Sequence, residues 1–278
     1  MGALYQPIAR IANLSSQDWK DIVLRERPII IEKSILEWPA CENWTPKYLA
    51  ERVGNFRVTT KRSNSHVHPE VPKPLSMSAI VRALFCARTS TPTTTMTLRD
   101  YLGLITSSVV RAHYFLSGDE VKILSAGTWI DALAGLRRDF TIPLCVPPSE
   151  LTDIGLWLSA AGVRSHLHFD GNGCHNVNAQ IVGTKHVELF APDQAAMLYR
   201  YSLAQRRWSN FSQIDLDAVD SRRFPLFEQL PGWAGELHAG DLLFIPAYWF
   251  HSFKHLDPFN CNVNFWWPPA ATSTRRRL

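Results

Sequence analysis

The sequence is poor in the features that mark several common protein classes. Its 278 residues hold only five cysteines, Cys41, Cys86, Cys145, Cys174 and Cys261, widely spaced and without a CxxC pair. That pattern argues against a disulfide framework and for reduced, buried packing thiols in a cytoplasmic compartment. No run of about 18 apolar residues occurs, and residues 1–11 lack a basic segment followed by an apolar one, so neither a membrane span nor a signal peptide is expected. Charge of one sign is scarce too. The 29 Lys and Arg against 25 Asp and Glu leave a net charge of +4, part of which comes from Arg275-Arg276-Arg277, and most other charges alternate in sign. Such a balance carries no footprint for specific nucleic-acid binding, and the basic segment 269–278 reads as a solvated tail. Repeats, low-complexity stretches and long linkers are missing as well.

What is present suits a single domain with a substantial core, since 46% of the residues are apolar and 19% charged. Segment 1–150 reads as an N-terminal helix and strand elaboration. Ser15 with Asp18 three positions on is a helix cap, followed by Trp19, Ile22 and Val23 at helical spacing and by the strand-like Pro28-Ile29-Ile30-Ile31. The order repeats: Thr45-Pro46 opens a helix with Tyr48, Leu49 and Val53 on one face, Gly54 ends it, and Phe56 to Thr60 is β-rich. Ser63 to Pro74, with His66 and His68, reads as an exposed loop, and Thr97 to Asp100 as a capping box for a helix through Leu104.

From residue 151 to 268 the texture becomes short strand-like runs: Leu156–Ser159, Val163–Phe169, Asn176–Ile181, His186–Phe190, Leu242–Ile245, Trp249–Lys254 and Asn260–Trp267. They imply a barrel or sandwich, interrupted at 191–235 by a partly helical insertion. The expected class is mainly β with α.

One constellation in this half carries chemistry. His168 and Asp170 are two apart, so on a strand an imidazole and a carboxylate share a face, and His251 can join them from another strand. Two histidines and one carboxylate are the facial triad of non-haem iron(II) oxygenases, which leaves three coordination positions open. Asn176, Asn178 and Gln180 also share a face by period two, and a polar face inside a barrel needs a ligand. Lys185, just beyond, needs an anion if buried, because an unpaired buried ammonium costs several kcal/mol or loses its proton. His166, His175, His186, His238 and His255 lack this strand phase and read as packing or surface residues, with His175 the closest rival. Trp266 and Trp267 fill core or rim, although Trp266 shares a strand face with Asn264. Tyr199, Arg200, Tyr201, Arg206, Arg207 and Trp208 concentrate aromatic and basic groups in the insertion and are candidates for a substrate entrance.

Taken in order, Ser165-x-x-His168-x-Asp170, Asn176-x-x-x-Gln180-x-x-Gly183-x-Lys185, Gly240-Asp241 to Pro246, His251 and Asn264-Phe265-Trp266 resemble the JmjC and cupin-like hydroxylases, asparaginyl hydroxylases among them. The resemblance spans roughly residues 111–268. It implies a double-stranded β-helix (jelly-roll) core, iron(II) held by His168, Asp170 and His251, and 2-oxoglutarate and O2 as cosubstrates. It further implies that Lys185 and Tyr114 meet the distal carboxylate of 2-oxoglutarate, that Ser165 stands where threonine is frequent, that Asn176 lies near the cosubstrate and that Asn264 lies beside the metal. The loop from Asp170 to Asn176 is two residues longer than the family pattern. The implied reaction is hydroxylation of a protein side chain or small molecule with release of succinate and CO2. Alternatives are N-methyl-lysine demethylation and a catalytically silent metal-binding cupin that serves as an interaction module.

Overall fold

A computed structural model describes residues 3–12, 15–69, 71, 93–107, 113–116, 121–171, 173–205 and 207–269. Cys86, Arg206 and nearly all of the basic tail lie outside them. In chain order the elements are β1 (Leu4–Pro7), β2 (Ala9–Ile11), α1 (Ser16–Arg25), β3 (Ile29–Ile31), α2 (Pro39–Asn43), α3 (Pro46–Val53), β4 (Arg57–Ser63), β5 (Val67–His68), β6 (Thr93–Thr97), α4 (Leu98–Ile105), β7 (His113–Leu116), β8 (Lys122–Ser125) and β9 (Thr128–Trp129). Then follow β10 (Asp153–Ser159), β11 (Arg164–Ser165), β12 (His175–Val182), β13 (Lys185–Phe190), β14 (Pro231–Leu237), β15 (Leu242–Ile245), β16 (Phe250–His255) and β17 (Asn260–Trp267).

The helices start where their caps dictate. Ser15 accepts from Asp18 N at 3.2 Å while the Asp18 carboxylate accepts from Ser15 N at 3.1 Å, a reciprocal capping box at α1. Thr45 and Thr97 accept from Tyr48 N and Asp100 N at 3.2 and 3.1 Å, opening α3 and α4.

Two sheets build the core of this mainly β fold. One has the order β1-β14-β13-β16-β11-β5, the other β2-β3-β15-β12-β17-β10-β8-β9; a small sheet, β6-β4-β7, lies apart. In the larger sheet, β12 and β17 are antiparallel with Asn178 opposite Asn264 and Ala179 opposite Val263. Side chains alternate, so Val177, Ala179, Ile181, Val263 and Phe265 point to one face, where they join an apolar cluster with Trp44, Leu49, Leu98 and Tyr101 from the helical layer. Each such fully buried aliphatic or aromatic side chain stabilises by about 1.5–3 kcal/mol. The alternate residues, Asn176, Asn178, Asn262 and Asn264, point between the two large sheets and line a pocket there. Gly183 turns the chain from β12 into β13 at φ +80°, and a Cβ there would lie 2.7 Å from both the Asn260 side chain and the Phe259 carbonyl, so only glycine fits.

Several local expectations shift. His168 is not inside a regular strand; it forms isolated bridges to His251 and Phe211, while β11 is only Arg164–Ser165. His68 does not sit in an exposed loop, because β5 docks parallel on β11 with His68 opposite Ser165, whereas His66 stays in the bend before β5 with its side chain 44% exposed. Among its described residues the 191–235 insertion has two short 3-10 turns (Pro192–Gln194 and Phe227–Gln229) as its helical elements, and its end is β14, whose glycines obscure a strand pattern. It carries a core of its own, in which Leu198, Ile214, Phe224 and Phe227 pack on Phe169 and Phe250.

The turn before β15 is held by Asp241, 2% exposed: Oδ1 accepts from Lys33 N at 3.0 Å, and Oδ2 from His238 N at 3.2 Å and from Arg10 Nη2 at 2.9 Å. Asp241→Ala strands two backbone N–H groups and should lower unfolding stability by about 2–4 kcal/mol, read as a lower urea midpoint at unchanged slope. A shift below about 0.5 kcal/mol would show that the turn does not depend on the carboxylate.

Candidate metal centre and anion pocket

His251 comes from β16, and His168 and Asp170 from the segment that bridges to it. Backbone bonds join the two histidines in both directions, His168 N to His251 O at 3.1 Å and His251 N to His168 O at 2.7 Å. Their rings lie with centroids 4.5 Å apart, and one donor atom from each of His168, Asp170 and His251 lies within 4.8 Å of the others. Among the described residues this is the one such cluster.

The outer atoms of these side chains are already engaged. His168 Nδ1 donates to the His166 carbonyl at 2.6 Å and His251 Nδ1 to the Trp249 carbonyl at 3.0 Å, so each Nε2 is left for the shared centre. Asp170 Oδ2 accepts from Asn176 Nδ2 and from Trp266 Nε1, both at 2.9 Å, while Oδ1 lies 3.7 Å from His251 Nε2. Burial, reinforced by the neighbouring His251, lowers His168 to about 4, so at neutral pH the ring carries a free lone pair. Two imidazoles and one carboxylate, each oriented from behind, fit a divalent transition-metal ion with open positions.

From Asp170 a line of amides runs into the pocket. Asn176 Oδ1 accepts from Asn264 Nδ2 at 2.9 Å, Asn264 Oδ1 accepts from Asn178 Nδ2 at 3.1 Å and from Asn262 Nδ2, and Asn262 Oδ1 accepts from Lys185 Nζ. Lys185, on β13, is 2% exposed. No carboxylate pairs with it among the described residues; its ammonium lies 5.1 Å from the Phe253 ring centre, and burial lowers it from its ordinary 10.5 to about 7. The pocket thus joins three metal-type donors at one region to a buried lysine without a carboxylate partner at another.

The sequence candidates fall into place unevenly. Ser165 lines the pocket with its hydroxyl accepting from Phe253 N at 2.8 Å, and Asn176 and Asn264 stand between Asp170 and Lys185. Tyr114 does not line the pocket: strand alternation turns its neighbour Phe115 inward, and Tyr114 packs against the cluster beneath the helices. The tyrosine that does line it is Tyr101 of α4, whose hydroxyl donates to the Leu158 carbonyl at 3.0 Å.

His175 faces away, accepting from Ala247 N at 3.1 Å between Phe244 and Trp267. His255, read from the sequence as packing or surface, lines the pocket as a buried neutral ring, held well below its ordinary range by burial and by Lys185. His68 lines it too, stacked on Phe115 at 4.4 Å and lowered to about 3 by burial and Lys61. Asn262 was missed as well, although period two from Asn264 signals it. Of the entrance candidates, Tyr199 and Tyr201 pack within the insertion, whereas Arg207 lies over Trp208, which abuts Phe211, which stacks on His168 at 5.2 Å.

Comparison with known proteins bears on this geometry. The family model described as a cupin-like domain matches residues 15–273. The chain belongs to the cupin-like JmjC family. Curated relatives include lysine-specific demethylase JMJ30 of Arabidopsis thaliana, 28% identical over 92% of this chain and 53% of the relative, and lysine-specific demethylase 8 of Xenopus tropicalis, 25% identical over 87% and 48%. HSPB1-associated protein 1 of Homo sapiens is 24% identical over 89% of this chain and 49% of its own length. The chain therefore spans about half the length of these curated relatives. Members of the JmjC family use iron(II) and 2-oxoglutarate, and the donor set and buried lysine described above suit both. Among the described residues no helix is long and apolar enough to cross a membrane.

The unpaired lysine makes a prediction about the ligand-free protein. Between pH about 7 and 10.5 the unfolded chain holds a proton on Lys185 that the folded chain has released, so stability rises with pH across that window and the penalty is full below it. Lys185→Met should therefore be more stable than wild type at pH 7, by an amount on the order of a few kcal/mol, with the gap closing toward pH 10. Urea unfolding at several pH values measures it, and a gap independent of pH would mean that the lysine keeps its proton throughout.

Proposed function

We propose that this JmjC-family chain is an iron(II)- and 2-oxoglutarate-dependent oxygenase that hydroxylates a C–H bond of a protein side chain or small molecule, acting in the cytoplasm. The observation that carries the reading is the single pocket in which His168, Asp170 and His251 converge while Lys185 lies buried without an acid. Bound iron(II) would supply dioxygen activation, with 2-oxoglutarate oxidised to succinate and CO2. His168 and His251 would hold the metal through Nε2 and Asp170 through Oδ1. Lys185 would take the far carboxylate of the cosubstrate, with Ser165 beside it on the pocket wall. The amides of Asn176 and Asn264 would supply polar contacts between the two ends, and Phe115, Trp157 and Phe253 would keep the reacting region dry.

A second reading is supported by the names of two relatives, both lysine-specific demethylases. It uses the same site: a hydroxyl placed on an N-methyl carbon leaves as formaldehyde, whereas one placed on an ordinary carbon stays.

Incubating the protein with iron(II), ascorbate and 2-oxoglutarate should release succinate, and Asp170→Ala should abolish the release. Mass spectrometry of peptide or metabolite pools separates the two outcomes, a gain of one oxygen against loss of a methyl group with formaldehyde. No succinate under any condition would leave the metal-binding interaction module as the better account. Lys185→Met should weaken 2-oxoglutarate binding by roughly 10- to 150-fold, the range for loss of a charged hydrogen bond, while metal affinity is retained; unchanged cosubstrate affinity would remove Lys185 from the role.

A further inference from the structure

Of the two donors on the outer oxygen of Asp170, one occupies a seat shaped for it. The Trp266 indole N–H reaches Asp170 Oδ2 at 2.9 Å from β17. Its backbone is pinned, because the Trp266 carbonyl accepts from both the backbone N–H and the hydroxyl of Thr152, at 2.9 and 3.0 Å. Its ring lies directly over Gly155 of β10: a Cβ at Gly155 would stand 2.8 and 3.0 Å from ring carbons Cζ3 and Cη2, closer than a real Cβ tolerates. No left-handed φ calls for glycine at 155, and a glycine inside a strand weakens it, so close approach of the ring accounts for the residue. A free carboxylate can turn, or chelate a cation through both oxygens and occupy an extra position. With Oδ2 held from two sides, only Oδ1 is presented toward the histidines.

We infer that Trp266 is a positioning residue for the metal carboxylate. Seated over Gly155, its N–H acts with Asn176 to fix Asp170 as a one-oxygen ligand, which keeps the remaining positions open for cosubstrate and dioxygen. The inference rests on the metal site proposed above and extends it to two residues with no ligand role of their own. Trp266→Phe keeps most of the ring and removes the donor; Gly155→Ala keeps the donor and displaces the ring.

The test is titration of the wild type and these variants with Mn(II) and Co(II), without cosubstrate, together with the visible spectrum of the Co(II) forms, which reports coordination number. Wild type should bind one ion and Asp170→Ala should bind at least 100-fold more weakly. Trp266→Phe should bind about tenfold more weakly, the lower end of the range for removing a group behind a ligand, with an altered Co(II) band. Gly155→Ala should shift both readouts the same way, and the double variant should be no weaker than Trp266→Phe, since both changes remove one hydrogen bond.

Trp266→Phe binding within twofold of wild type, with an unchanged band, would overturn the positioning role while leaving the metal site intact. Additive losses in the double variant would also overturn it. Asp170→Ala binding as well as wild type would instead bring down the metal site, and the inference with it. Should Gly155→Ala not fold by circular dichroism, affinity and spectrum of Trp266→Phe decide the matter alone.

Discussion

Everything in the pocket depends on the register between β12 and β17. Asn178 sits opposite Asn264, and a slip of β17 by one residue would turn Val263 and Phe265 into the pocket and press Asn262 and Asn264 into the apolar layer beneath the helices. An amide buried without a partner costs about 1–3 kcal/mol, and the apolar side would lose its own burial at the same time. The register is thus enforced from both faces. The same alternation that seals the helical layer sets Asn176 beside Asp170 and Asn262 beside Lys185. Stability and site geometry share one cause here, and the asparagine line has little room to drift.

The two large sheets divide the electrostatic work. The larger sheet offers neutral amides; the six-stranded sheet brings His251, Lys185 and Arg164. Arg164 is also buried but fully matched, bonding to Glu188, to Asp217 at 3.1 Å and to Ser252 at 2.9 Å. Desolvating a guanidinium costs several kcal/mol, and two carboxylates offset it. Lys185 has only an amide oxygen and a ring face, hence the contrast in their charges: one cation is satisfied by the protein, the other is left for something that arrives. Asp217 also accepts from His66 at 2.8 Å and Lys254 at 3.0 Å, so a residue of the insertion is the common anchor of two strand-borne cations and the bend before β5.

Much of this was legible in the sequence, because the signals were of period-two and capping type. The caps at Ser15, Thr45 and Thr97 and the face shared by Asn176 and Asn178 follow from local spacing, whereas the meeting of His168 and Asp170 with the distant His251 is implied by the order of the motifs. What escaped depends on tertiary partners. Tyr114 and Tyr101 cannot be told apart until it is known which face of β7 turns inward. His68 reads as a loop residue because β5 exists only through its pairing with β11, and β14 hides behind Gly232 and Gly235. Phe211 packs on His168 from 43 positions away along the chain, a contact for which no local pattern exists.

The order of strands has a bearing on how the molecule comes into being. β17 lies between β12 and β10 in the middle of the larger sheet, yet it follows every other strand in the chain. During synthesis the two halves of that sheet wait, each with an open edge, until residues 260–267 have left the ribosome. Long-range closure of this kind is slow, and exposed edges invite pairing with other chains. A polypeptide cut short before β17 would lack Asn262, Asn264 and Trp266 and would display one open edge on each of β12 and β10. Nascent chains of this protein are therefore most exposed to misassociation shortly before the domain is complete, and a holding chaperone would matter most at that moment.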